Sequence, residues 1–210
     1  MTTFATGVPA LIPLALLEAM RNLDTPIDDG LAELDAELVS KRLGLSSTVA
    51  SQIERYRAAY EKGTPLGLEE SVSVYRLVGR RADADLVFAD AGRRAARHAA
   101  RQVPGWRRTV QGLVPGGLRT RLGRGAAAHA AVHAFAAELQ PHDGHMDVRL
   151  TDSLAVRAGL EGLGCAFYGA AFAELLRVLA DLEHAITHET CQARGDAACT
   201  WRAATVETWV

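Results

Sequence analysis

Between residues 8 and 62 the apolar positions fall into three helical patterns, "ALLEAMRNL", "DDGLAELDAELVSKRLG" and "SSTVASQIERYRAAYEKG". Asp or Ser supplies the caps, and Gly44 and Gly63 supply the stops. "SVSVYRLVG" fits a strand or the start of a helix, and "DADLVFADAGRRAARHAARQV" is helical. Pro104, Gly105, Pro115, Gly116 and Gly117 break the pattern beyond it, and a second Ala-rich helix is expected from about Arg124 to Leu139.

After Pro141 the period changes. "HMDVRLTDSLAVRAG" alternates and carries a turn signal at Thr151, Asp152 and Ser153, which predicts a hairpin. "GCAFYGAAFAELLRVLA" returns to helical spacing, with Cys165, Tyr168, Phe172, Leu175, Leu176 and Leu179 on one stripe and Glu174 and Arg177 away from it. "EHAITHETC" and "ACTWRAATV" read as two strands joined by "QARGDA", where Gly195 can take a positive φ. Helices, a hairpin, a helix and a last hairpin predict an α+β fold with an antiparallel sheet. No repeat or low-complexity linker divides the chain. Residues 1–210 are read as a single domain, with a mainly helical part over 1–140 and a second part over 141–210.

At 210 residues with near-average charge, the chain is long enough to bury a real core. No apolar run reaches the roughly 18 to 20 residues that a membrane span requires, and the most apolar stretch, "VPALIPLALLEAM", is interrupted by Pro13. It lacks a signal-peptide pattern, and three cysteines make no secreted disulfide framework, so a cytoplasmic protein is expected. The net charge of -2 hides a segregation: nine arginines (93, 94, 97, 101, 107, 108, 119, 121 and 124) lie between Asp90 and Glu138 without one acid among them. An arginine block without lysine suits planar, bidentate recognition of carboxylates or phosphates. Pairing with the acidic remainder of the fold explains it equally well.

All three cysteines, Cys165, Cys191 and Cys199, lie in the second part. Seven residues separate the last two, too many for a C-x-x-C redox pair. A hairpin that brings Cys191 and Cys199 together, with Cys165 arriving at a helix N-terminus, can offer three sulfurs to zinc. His188 and Glu189 compete for the fourth place, and strand parity alone favours Glu189. Spacing leaves a second reading open, in which the cysteines are simply small buried hydrophobes.

The stretch "GLGCAFYGAAFAELLRVLADLEHAITHETCQARGDAACTWRA" resembles the vinyl reductase-type ligand-binding domain, whose hallmark is a Gly-rich helix start, a strand, a cysteine, a Gly-Asp turn and a second cysteine. The resemblance covers roughly the last 70 residues. It implies a fold similar to that of haem-nitric-oxide-binding and vesicle-tethering (TRAPP) subunits. It also implies a structural Zn(2+) ion on Cys165, His188, Cys191 and Cys199, with histidine where the phenol-sensing members of the family carry a carboxylate. No ATPase or DNA-binding segment comes after the motif, so the expectation is a stand-alone member of the bacteriochlorophyll-biosynthesis branch rather than a complete phenol-sensing regulator. That branch bears the name 4-vinyl reductase.

A reductase must draw its electrons from somewhere. The sequence has no G-x-G-x-x-G opening a β-α-β unit, and three cysteines do not make an all-cysteine iron-sulfur site. The resemblance therefore points to an accessory or carrier protein that holds a Mg-tetrapyrrole, a Mg-porphyrin or chlorophyllide-type intermediate. Its expected partners are bacteriochlorophyll-pathway enzymes and a second copy of the chain. No nucleic acid is expected, and the expected location is the cytoplasm, at the periphery of the photosynthetic membrane. Arg107 and Arg108 are candidates for the ligand's carboxylates, Trp106, Phe135, Phe167 and Tyr168 for its ring, and His129 and His133 for an axial donor on the flank of a Val132, Phe135 and Leu139 stripe. Two alternatives remain: a sensor or adaptor for a small aromatic, and a true divinyl reductase using an external electron donor.

Overall fold

The computed structural model describes residues 7–25, 43–103, 116–142 and 145–205. Trp106, Arg107 and Arg108 lie outside the described residues, as do residues 28–42 of the helix expected over 28–44. The chain is α+β, as the alternating periods predict. Its elements run α1 (Leu11–Asp24), a 3-10 turn (Leu43–Leu45), α2 (Ser47–Glu61), α3 (Leu68–Gly79), α4 (Ala84–Gln102) and α5 (Gly116–Phe135). They continue with β1 (Glu138–His142), β2 (His145–Leu150), α6 (Leu154–Arg157), α7 (Cys165–Ala180), β3 (His184–Thr190), a 3-10 turn (Gln192–Arg194) and β4 (Cys199–Thr205).

The helices begin and end where local chemistry allows. Ser46 caps α2 by accepting the Val49 backbone N–H at 3.3 Å. "SVSVYRLVG" is helical within α3, because Val72, Tyr75 and Val78 share one buried side at helical spacing. The Ala-rich helix α5 starts earlier than expected and ends at Phe135; Ala136 turns out of it with a φ of 55°, so Leu139 belongs to β1 and not to the helical stripe.

The sheet order is β1-β2-β4-β3, antiparallel throughout. The first hairpin is not the expected one. Thr151, Asp152 and Ser153 lead into α6, where the Arg157 guanidinium donates to both Asp152 carboxylate oxygens at 2.5 and 3.0 Å, and β2 pairs backward with β1 instead. The final hairpin forms as predicted, and Gly195 adopts a φ of 94° in its loop.

Helix α7 lies against α4, α5 and β3. Two glycines set how closely its neighbours approach. A Cβ on Gly92 of α4 would lie 2.1 Å from the Phe167 carbonyl oxygen, and one on Gly123 of α5 would lie 2.3 Å from that of Leu179. The predicted stripe of α7 is buried, together with Phe135 and Trp201. Glu174 corrects the expected pattern: it is 5 % exposed, because Arg97 reaches it from α4 at 2.7 Å and Arg177 from the next turn at 2.8 Å. Arg177, burial and Arg97 all act on this carboxyl, and the two arginines prevail to hold it at about 2.

These contacts predict two outcomes. Gly92→Ala should lower stability by about 1–3 kcal/mol in a denaturant titration, since the added methyl meets backbone. A carboxyl with a depressed folded pKa stabilises above its unfolded value and loses that contribution as pH falls toward the folded one. Glu174→Gln should therefore cost about 1–2 kcal/mol at pH 7, allowing for the solvent around both arginines. The difference from the parent should close between roughly pH 4.5 and 2.

Candidate metal centre

Four side chains from three elements meet at one end of α7. Cys165 opens that helix, and its N–H bonds the Gly162 carbonyl at 2.9 Å, in a turn where Gly162 has a φ of 94°. Cys191 comes directly after β3 and Cys199 begins β4. The loop between them is closed from within: Asp196 accepts the Cys191 N–H at 2.7 Å, and the Thr190 hydroxyl donates to the Ala198 carbonyl at 2.8 Å. Gln192 ties the loop to the Thr151 carbonyl at 3.0 Å. The sulfurs are thus placed by backbone geometry.

The Cys165 and Cys191 sulfurs are 3.9 Å apart, and those of Cys191 and Cys199 are 4.0 Å apart. This is about twice a disulfide length, while zinc-sulfur bonds of about 2.3 Å subtend an edge of about 3.8 Å in a tetrahedron. One ligand atom from each of Cys165, His188, Cys191 and Cys199 lies within 4.8 Å of all the others. The four form a Cys3His cluster able to hold a metal ion such as zinc.

His188 occupies the fourth place because β3 bulges. His188 pairs with Trp201, whereas Thr190 pairs with Thr200, so the register shifts across Glu189 and strand parity no longer applies. Glu189 is engaged elsewhere, with Arg202 at 2.8 Å. The His188 ring lies flat on the Trp201 indole, with centroids 4.7 Å apart at 11°. Its Nε2 is buried without a hydrogen-bond partner, a cost that a bound cation removes.

The electrostatics point the same way. Hydrogen bonding with Cys165 and the Gln192 N–H, which donates at 3.4 Å, pulls the Cys199 thiol below the usual thiol range against the effect of burial. Proximity to Cys199, together with burial, pushes Cys165 far above the usual thiol range. One thiolate is favoured and further negative charge is resisted, so a divalent ion can displace the remaining protons.

The other expected site residues separate. Phe135, Phe167 and Tyr168 are fully buried and in ring contact with one another; filling the core, they cannot face a bound macrocycle. His129 and His133 are exposed on α5 with ring centroids 4.3 Å apart, and neither forms a hydrogen bond or ion pair among the described residues. Both line a groove of about 870 Å³ whose walls include Leu11, Tyr60, Pro65 and Val103. Sequence reasoning missed this groove because α1, α2, α4 and α5 supply it from distant positions. Within the arginine block, Arg93 and Arg94 pair with Asp90, Arg97 with Glu174, and Arg119 with Asp181. The pairing reading therefore accounts for these four. No helix among the described residues is long and apolar enough to cross a membrane. The chain matches no family model, no curated protein and no solved structure.

Cys191→Ser or Cys199→Ser should abolish stoichiometric zinc and lower the melting temperature, as chelation of the parent should. His188→Ala should weaken zinc in a competition titration far more than Glu189→Ala, which removes only the Arg202 pair. Acidification should release the metal, because protons compete for the thiolates.

Proposed function

We propose that this protein is a tetrapyrrole-binding accessory protein of bacteriochlorophyll biosynthesis, in which a structural zinc ion on Cys165, His188, Cys191 and Cys199 pins α7 to the β3–β4 hairpin. The observation that carries the ligand half of this reading is the groove beside His129 and His133: walls that mix Leu11, Pro65 and Val103 with Glu61, Lys62 and Gln102, a size in the range of small-ligand sites, and two imidazoles without a hydrogen-bond partner among the described residues. The resemblance of residues 162–203 to the vinyl reductase-type domain supports both the metal and the pathway.

In this reading Leu11, Pro65 and Val103 would shield the macrocycle from water, Tyr60 would offer a ring face, and His129 or His133 would hold its magnesium. Arg107 and Arg108 are proposed to meet the propionates. Val103, the last described residue before their segment, lines the same groove. The chain's own part is to bind, orient and desolvate. Vinyl reduction itself requires a donor from outside.

Titration with magnesium protoporphyrin should give a saturable shift of its Soret band, weakened by a combined His129→Ala and His133→Ala substitution at unchanged zinc content. Neutralising Arg107 and Arg108 should cost about 1–3 kcal/mol for the free acid and little for its diester. Absence of a saturable shift contradicts the carrier reading. Conversion of divinyl substrate by the isolated protein with a chemical reductant would instead favour a true reductase, and binding of small aromatics alone would favour a sensor.

A further inference from the structure

His129 and His133 stand one helical turn apart on the same side of α5, with ring centroids separated by 4.3 Å and planes inclined by 47°. Two imidazoles on adjacent positions of one metal ion, each at a metal–nitrogen bond of about 2.1 Å, have ring centres about 4.5 Å apart. The observed spacing is that of a chelate.

Both rings are exposed, and among the described residues neither has a hydrogen bond or an ion pair that would occupy its nitrogens. Other histidines differ. His98 faces Glu18 at 3.8 Å, His188 belongs to the cysteine cluster, and the rings of His142 and His145 are farther apart, at 5.9 Å. Glu61 and Lys62 line the groove beside the pair, and their charges offset each other. Among the described residues no third donor completes a cluster with the two imidazoles.

We propose that His129 and His133 form a second metal site, an open two-nitrogen chelate for a divalent first-row transition ion of the nickel or copper class. Imidazole donors favour these ions over free magnesium or calcium, which take oxygen ligands. Two protein donors, against four at the cysteine cluster, leave coordination positions for water or for a small donor in the groove. This site goes beyond the carrier reading and does not rest on it. An ion on both imidazoles would compete with a macrocycle for them.

The probe is Ni(II), added without porphyrin to the full, zinc-loaded chain and followed by calorimetry and by paramagnetic broadening of the histidine ring resonances, with zinc content measured throughout. Its outcome is independent of the Soret titration. One Ni(II) per chain should bind at unchanged zinc and broaden the His129 and His133 rings saturably. His129→Ala or His133→Ala should each weaken binding at least about tenfold, because the second bond of a chelate forms at high effective concentration. Adding Gly125→His to His133→Ala should restore it, since position 125 lies one turn before His129, is exposed, and has nothing within 4 Å of a Cβ placed there. His142→Ala should change nothing. The site is refuted if the two rings do not broaden saturably, if either single variant binds nickel as the parent does, if Gly125→His restores nothing, if His142→Ala removes the nickel, or if nickel enters only by displacing zinc.

Discussion

The C-terminal half depends on one spatial constraint: the first turn of α7 must meet the bulged end of β3 and the start of β4 within a few ångströms. Three sulfurs and an imidazole converge there, and a metal ion is the natural bond among them. The approach of α4 and α5 to α7 through Gly92 and Gly123 fixes the helix from behind. The loop hydrogen bonds of Thr190, Asp196 and Gln192 fix the hairpin from the front. Without a cation the meeting point would hold a buried imidazole nitrogen with no partner and a thiol forced far from its usual range.

The same constraint organises the surfaces beside it. His188 carries the indole of Trp201 on its flat face, and together with Cys165 both line a shallow groove between α7 and β3. The histidine-lined groove lies among the N-terminal helices instead, where no metal-ligating cluster of three or more groups occurs among the described residues. Under the proposed carrier reading, the metal cluster and the groove built by helices would divide the labour. The metal would hold the fold, while the ligand site would remain free to exchange cargo.

The fold class and the final helix and hairpin were legible because they rest on local periodicity. Alternation in β4, the stripe on α7 and a positive φ at Gly195 are all short-range consequences of residue type. The fourth ligand was not fixed by spacing, since parity pointed to Glu189 until the bulge moved it outward. The turn signal at Thr151 to Ser153 misled, because those residues cap a short helix as readily as they turn a hairpin. Phe135, Phe167 and Tyr168 suit a ligand pocket or a core equally well by type; only the packing of α5 against α7 decides for the core.

Zinc K-edge X-ray absorption on the purified protein tests the central claim most directly, since it counts the donor atoms around the metal. One zinc per chain with three sulfurs near about 2.3 Å and one nitrogen near about 2.0 Å is the predicted shell. A shell with two sulfurs, with a carboxylate oxygen in place of the nitrogen, or a protein that holds no stoichiometric zinc would contradict it.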